Sequence, residues 1–456
     1  MIDRRLFLKR SSAALSLSGL AGLGLTACGG GQEEAVADTA SALSDKTEAE
    51  AEFKATLDES VAAQGAAVNA RVIVIGGGMA GATVAKYLRL WGNGIEVTLV
   101  ERAPVYTSCI MSSLVLTGQR TMGSLQFRYD TLRTKYGIKT EFGDVVAIDP
   151  VNARVTLASG KVLTADRIVL APGIEFDTIP GLSDPLAMPH AWKAGESTSV
   201  LARQLAAMPT GGTAILTIPK APYRCPPGPY ERACLVADWM TLRKPRAKLI
   251  VLDANPDFVT ERDNFSSAFL GLHGSVIEYH NLAAVDHVDM ATRSVFLADG
   301  TRFSGHAINL IPTQRAPALV AQTGLVNDAT GRFAKVNVLD YASTVAPRVH
   351  IIGDASATTM PKAGHIANQE AKVCADALSR IFAGGQPDPA PVTNSACYST
   401  ITMKQASWLH AMFQYDPATA AMKAVADASG ASTGWNGDNF DDMGKWFKAL
   451  MADSFA

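Results

Sequence analysis

A chain of 456 residues, 48% of them hydrophobic, exceeds the size at which a single core stops growing, so two or three domains are expected. The formal net charge is −2 and no run of Lys and Arg follows the first ten residues, which argues against nucleic acid or another polyanion as partner.

In chain order, the N-terminus reads MIDRRLFLKRSSAALSLSGLAGLGLTACGG: a basic start with Arg4 and Arg5, a short apolar run, then small residues before Cys28. A membrane-spanning helix needs about 20 strongly apolar residues, so the pattern is that of an export signal. DRRLFLK resembles the twin-arginine motif and LTAC resembles a lipobox. Residues 1–28 are therefore expected to direct export to the periplasm, with Cys28 as a possible lipid anchor; signal cleavage that discards Cys28 is the competing reading. Twin-arginine export carries folded proteins, which points to a cofactor inserted beforehand. Residues 29–70, rich in Ala, Glu, Asp and Ser, read as a tether outside the fold.

The first folded element is RVIVIGGGMAGATVAKYLRLWGNGIEVTLVER. A buried strand, Val72 to Ile75, runs into Gly76, Gly78 and Gly81 in GxGxxG spacing, then a helical stretch, then a second strand ending at Glu101. The glycines permit a tight turn and close approach of the backbone to a pyrophosphate whose charge meets the helix N-terminus. Glu101, about 20 residues past Gly81, is placed to bond a ribose hydroxyl pair. Two later segments, ADRIVLAPG ending at Gly173 and RVHIIGDAS with Gly353 and Asp354, are strands ending in small residues. Together the three resemble the recurring set of FAD-binding flavoproteins of the two-dinucleotide-fold family, and the resemblance implies FAD with Asp354 on the ribitol. After Asp354 a helix is expected to start past Pro361, its N-terminus and Lys362 turned toward the flavin ring. A merely solvated Lys362 is the alternative.

Residues 186–315 repeat the strand, turn, helix, strand order of a second dinucleotide fold, between FAD-domain parts at 71–185 and 316–388. Its turn, however, reads PKAPYRCPPGP. Pro222, Pro226, Pro227 and Pro229 remove backbone donors and fix φ, so the loop cannot form the nest of N–H groups that a pyrophosphate needs, and no NAD(P) binding is expected. Of the six cysteines, Cys234 and Cys374 sit in apolar helical stretches and read as small buried hydrophobes. Cys109, Cys225 and Cys397 remain. From composition alone, Cys225 and Cys397 point to a structural staple more than to a reactive pair, and Cys109 is compatible with packing.

Three motifs are more specific. RCPPGPYERA, SACYST and YTSCIMSS resemble segments of the flavoprotein subunit of flavocytochrome c sulfide dehydrogenase, over a match running from about Arg71 into the C-terminal region. The resemblance implies an α/β fold of two Rossmann-like domains in a glutathione-reductase-like FAD arrangement, with a small flavin-covering domain at 389–456. It also implies covalent FAD attachment through Cys109, a redox disulfide between Cys225 and Cys397 over the flavin, and Glu231 as the acid beside it. Ser108, additional between Thr107 and Cys109, departs from the family pattern and bears on the covalent bond.

Sulfide, present largely as HS⁻, would attack the disulfide as a soft nucleophile, with Glu231 managing a proton. An acid favoured merely by the helix dipole is the other reading of Glu231. No CxxCH haem motif occurs in this chain, so the resemblance implies a separate c-type cytochrome as electron acceptor. The competing functions are a sulfide:quinone oxidoreductase, a pyridine-nucleotide disulfide reductase, and a lipid-anchored protein with an inert flavin fold.

Overall fold

The computed structural model describes residues 67–456. The export segment, Cys28 and the tether up to residue 66 lie outside them. Strand β1 (Ala70–Ile75) leads through the glycine turn into helix α1 (Met79–Trp91) and strand β2 (Ile95–Glu101). Strands β3 (Lys139–Phe142) and β4 (Arg167–Leu170) complete the first half of a parallel sheet. β1 lies between β2 and β4 and past the exposed Arg71 is covered on both faces, which explains its apolar run Val72–Ile75.

The second unit begins with helix α2 (Glu196–Ala207) and strand β5 (Thr213–Ile218). The proline loop follows, then helix α3 (Gly228–Arg243) and strand β6 (Lys248–Asp253). With β7 (Ile277–His280) and β8 (Ala307–Asn309) these form a parallel sheet in the order β7-β6-β5-β8. The chain returns through β9 (Ala346–Ile351), which pairs with β4 in the first sheet, and helix α4 (Gly364–Phe382), packed on α1. The helix expected directly after Pro361 therefore begins at Gly364, with Ala363 still extended before it.

The last unit is an antiparallel sheet of β10 (Val392–Thr400), β11 (Ala406–Asp416) and β12 (Ala421–Ala424), followed by helix α5 (Gly437–Phe455). It packs on both Rossmann-like units: β10 meets α3 and α4, and α5 meets α1. Cys234 and Cys374 are fully buried in their helices. Among the described residues, no helix is long and apolar enough to cross a membrane.

Candidate active site

A cavity of about 560 Å³ opens where the three units meet. Its floor is the first glycine turn. Gly76 adopts φ +97°, and a Cβ there would lie 2.4 Å from the Ala171 carbonyl oxygen; a Cβ on Gly81 would lie 1.7 Å from the Gly76 oxygen. Both positions therefore require glycine, and the turn brings the start of α1, which no side chain caps, to the cavity wall. Glu101 closes one end. Its Oε2 accepts from the Gly77 N–H at 2.5 Å and its Oε1 from the Arg102 N–H at 2.7 Å.

Gly173 and Gly353, both at φ +73°, turn the ends of β4 and β9 along the same wall. Next to Gly353, Asp354 carries a buried Oδ1 with no hydrogen-bond partner. An elongated cleft with a glycine cradle, an acid at one end and an unmatched buried carboxylate oxygen midway fits FAD: Glu101 for the ribose, the α1 N-terminus for the pyrophosphate and Asp354 for the ribitol.

The opposite wall is the proline loop. Nearly every residue in it is tied. Ala221 N–H donates to Asn255 Oδ1 (3.0 Å), Tyr223 Oη to the Pro226 oxygen (3.1 Å) and Arg224 N–H to Gln314 Oε1 (2.8 Å). Cys225 sits in the left-handed region at φ +59°, its N–H donating to the Lys362 carbonyl at 2.6 Å and its own carbonyl accepting from Gly228 N–H at 2.9 Å. A Cβ on Gly228 would lie 2.9 Å from both the Cys225 sulfur and the Trp192 ring, so the glycine is what lets the thiol rest against the first turn of α3. Cys397 reaches the same cavity from β10, where the neighbouring Ala396 N–H donates to His365 Nδ1 at 2.9 Å. Both cysteines are free thiols in this structure.

Burial dominates the electrostatics. It pushes Cys397 up to about 12, with Glu261 and Glu231 adding to the shift and a Ser395 hydrogen bond opposing it. It also pushes Cys225 well up, Cys397 and Glu231 contributing, against Arg224 and the Gly228 N–H. Glu231 is pushed up to about 8 by burial, with Glu261 adding to the effect and Arg232 and Thr400 Oγ1, 3.2 Å away, opposing it. The Arg224 guanidinium lies beside these groups, bonded to the Trp192 carbonyl and 3.9 Å from Asp354. Arg232 is held deeper, over the Trp192 ring at 4.7 Å and bonded to Asn309 and the Ala191 carbonyl.

The cavity wall thus gathers Gly76, Gly78, Glu101, Cys109, Gly173, Cys225, Glu231, Gly353, Asp354 and Cys397. Gly81 lies beneath the turn. Cys109 receives the Ala194 N–H at 3.4 Å. Lys362 departs from its expected direction. Its Nζ lies over the Phe333 ring at 3.8 Å and donates to the Ser356 carbonyl at 2.7 Å, because it precedes α4 by two residues in an extended lead-in; only its backbone oxygen touches the loop that holds Cys225.

Arg224, Arg232, Trp192 and His365 were not singled out from the sequence. Arg224 carried a signal, a cation next to a loop cysteine, whereas the others depend on tertiary placement. Trp446, 9% exposed, also lines the cavity.

Comparison with known proteins adds three family matches. Residues 198–312 match sulfide dehydrogenase (flavocytochrome c) flavoprotein chain, central; residues 389–455 match flavocytochrome c sulphide dehydrogenase, flavin-binding; residues 70–210 match pyridine nucleotide-disulphide oxidoreductase. The flavoprotein chain of sulfide dehydrogenase (flavocytochrome c) from Chlorobaculum thiosulfatiphilum is 49% identical over 45 residues, 10% of this chain and 94% of that sequence. The mitochondrial sulfide:quinone oxidoreductase of Schizosaccharomyces pombe is 25% identical over 335 residues, 65% of this chain and 71% of the relative. Among solved structures, the sulfide:quinone oxidoreductase of the hyperthermophilic bacterium Aquifex aeolicus superposes with a TM-score of 0.68 at 18% identity, covering 84% of this chain and 91% of that one, which is a likeness of fold.

Proposed function

The chain belongs to the family of flavocytochrome c sulfide dehydrogenase flavoprotein chains, and from that premise we infer that it is an FAD-dependent enzyme oxidising sulfide through Cys225 and Cys397, with a c-type cytochrome as acceptor. One observation carries this reading: two sulfurs from distant parts of the chain and the Glu231 carboxyl share one wall of the flavin cavity.

In the resting enzyme the two sulfurs form a disulfide. HS⁻ attacks one sulfur, a new S–S bond forms as the old one breaks, and the products are a persulfide on one cysteine and a thiolate on the other. Arg224 favours entry of the anion and opposes the burial that disfavours charge on Cys225. Glu231, protonated below about pH 8, supplies a proton to the buried thiolate and, once ionised, accepts one from the persulfide. When bound, FAD supplies the two-electron acceptor, able to pass electrons on singly. A second HS⁻ attacks the outer sulfur, its bond to the cysteine sulfur breaks and the hydrodisulfide leaves, and the two cysteine sulfurs re-form their disulfide by giving up two electrons. Cys109, on the cavity wall, is the proposed covalent attachment point, and export to the periplasm with a lipid at Cys28 belongs to the same reading.

Against NAD(P), the second nucleotide crevice is filled. Asp253 ends β6 where a ribose-binding acid would stand, but Tyr230 and Tyr279 donate to its Oδ2 at 2.7 and 2.9 Å and Asn255 Nδ2 to its Oδ1 at 2.7 Å. Phe258, stacked on Tyr279 at 4.9 Å, packs over them. With the prolines, this supports a chain that takes electrons from sulfur rather than from a nicotinamide.

The test is anaerobic addition of sulfide or NADH to flavin-loaded protein, followed by cytochrome c or a quinone. Sulfide should bleach the flavin, cytochrome c should restore it, and an acid precipitate should retain the flavin if Cys109 carries it. Cys225→Ser should keep FAD and lose sulfide bleaching. Bleaching by NADH and not by sulfide overturns the reading; reoxidation by quinone alone moves the acceptor to quinone.

A further inference from the structure

Glu261 does not line the cavity, yet it is built into the cysteine site. It belongs to the second unit, at the start of a short helix, and its carboxylate crosses to the C-terminal sheet. There Oε1 accepts from Ser399 Oγ and Oε2 from Ser407 Oγ, each at 2.6 Å. Ser399 and Ser407 face each other in the β10–β11 register. Ser399 is two residues from Cys397 on one strand, a spacing of about 7 Å on a common face. Glu261 also holds a left-handed backbone at φ +45°, unusual for a side-chain-bearing residue. A neutral residue would pin two serines without burying a carboxylate. The chain instead tolerates both the strained backbone and the buried charge beside a reactive sulfur.

We propose that Glu261 is a positioning residue of the site, its carboxylate held by Ser399 and Ser407 so that it is fixed toward the strand face that carries the Cys397 sulfur. This rests on the reading of Cys225 and Cys397 as the reacting pair. The other groups facing Cys397 are Glu231 from α3, Cys225 and Arg224 from the proline loop, and His365 from α4. Burial, aided by the Lys372 charge, lowers His365 to about 4, so its ring is neutral in the working range and accepts through Nδ1 from Ala396. After burial, Glu261 is the largest influence on Cys397, and Glu231 acts in the same direction. Glu261 is itself raised by burial, which the hydrogen bonds from Ser399, Ser407 and Asn264 oppose.

The experiment uses reduced full-length protein without sulfide and measures the iodoacetamide alkylation rate of Cys397 against pH by peptide mass spectrometry, with Cys225 as internal reference. In the native protein the Cys397 midpoint should lie above that of an ordinary thiol. Glu261→Gln retains an acceptor for one serine and a donor for the other while removing the charge. It should lower the midpoint by about one pH unit, equivalent to ~10-fold faster alkylation below it. Ser407→Ala keeps the charge and loses one hydrogen bond, and should leave the midpoint in place. An ordinary midpoint in the native protein overturns the proposal without any variant. So does an unshifted midpoint in Glu261→Gln, or an equal shift in both variants, which would mark a purely structural pin. Failure of the sulfide reading appears separately, as continued turnover in Cys225→Ser.

Discussion

A carboxyl that keeps its proton to about pH 8 can serve a thiolate that burial makes costly, and Glu231, in the first turn of α3 on the cavity wall shared with Cys225, is such a group. Because its folded pKa stands above the unfolded value of about 4.3, the folded protein holds a proton that the unfolded chain releases. Stability therefore falls as pH rises from about 4.3 toward about 8, and the full penalty is present above that. Glu231→Gln removes the penalty and the proton together. Its melting temperature should exceed that of the native protein above pH 8 and converge with it in acid. Its sulfide-dependent flavin reduction should be ~10²-fold slower and lose the limb near pH 8. A native pH profile in the variant would assign the proton to another group.

At the scale of elements, the proline loop and the first turn of α3 act as one rigid support for Cys225. Gly228→Ala places a methyl 2.9 Å from the Cys225 sulfur and the Trp192 ring, and both are held by the loop's hydrogen bonds. The variant should lose ~1–3 kcal/mol of stability. More tellingly, its oxidised form should retain titratable thiols at Cys225 and Cys397 because the sulfurs no longer meet; a thiol count equal to that of the native protein would show the loop to be compliant. The β1 turn and Glu101 were legible in the sequence because strand, glycines, helix and acid lie within one local pattern. The loop cysteine was legible for the same reason, through its prolines. Lys362 was not, since Phe333 and the Ser356 carbonyl, brought together by the return of the chain, decide its direction. Nor was Glu261, whose serine partners belong to a sheet formed more than a hundred residues later.

For the whole molecule, the question is what joins the C-terminal unit to the FAD fold closely enough to make one cavity. Helix α5 contributes Met443 and Trp446 to the wall, and its end is bound into the α1–α4 layer. Phe455 stacks on Tyr106, a cavity residue, at 5.0 Å. Asp453 meets Lys372 at 2.9 Å and receives Asn368 Nδ2 at 2.8 Å, while Ser454 and Thr83 share a hydrogen bond of 2.8 Å. Burial opposes the Asp453 charge, but Lys372 and the hydrogen bonds outweigh it and hold the carboxyl down to about 2. The stabilisation is therefore present above the unfolded value near 4 and lost as pH falls toward 2. Asp453→Asn leaves Lys372, only 5% exposed, without its counter-charge, at a cost of about 3 kcal/mol. Replacing both by apolar residues should cost less, since no buried charge is then left alone. If α5 is part of the flavin enclosure, the Asp453→Asn variant releases FAD at the temperature where its tertiary circular dichroism is lost, several degrees below the native transition, and the double variant recovers part of the difference. Native flavin retention in Asp453→Asn would instead mean that the C-terminal helix is fastened to the fold without helping to close its cavity.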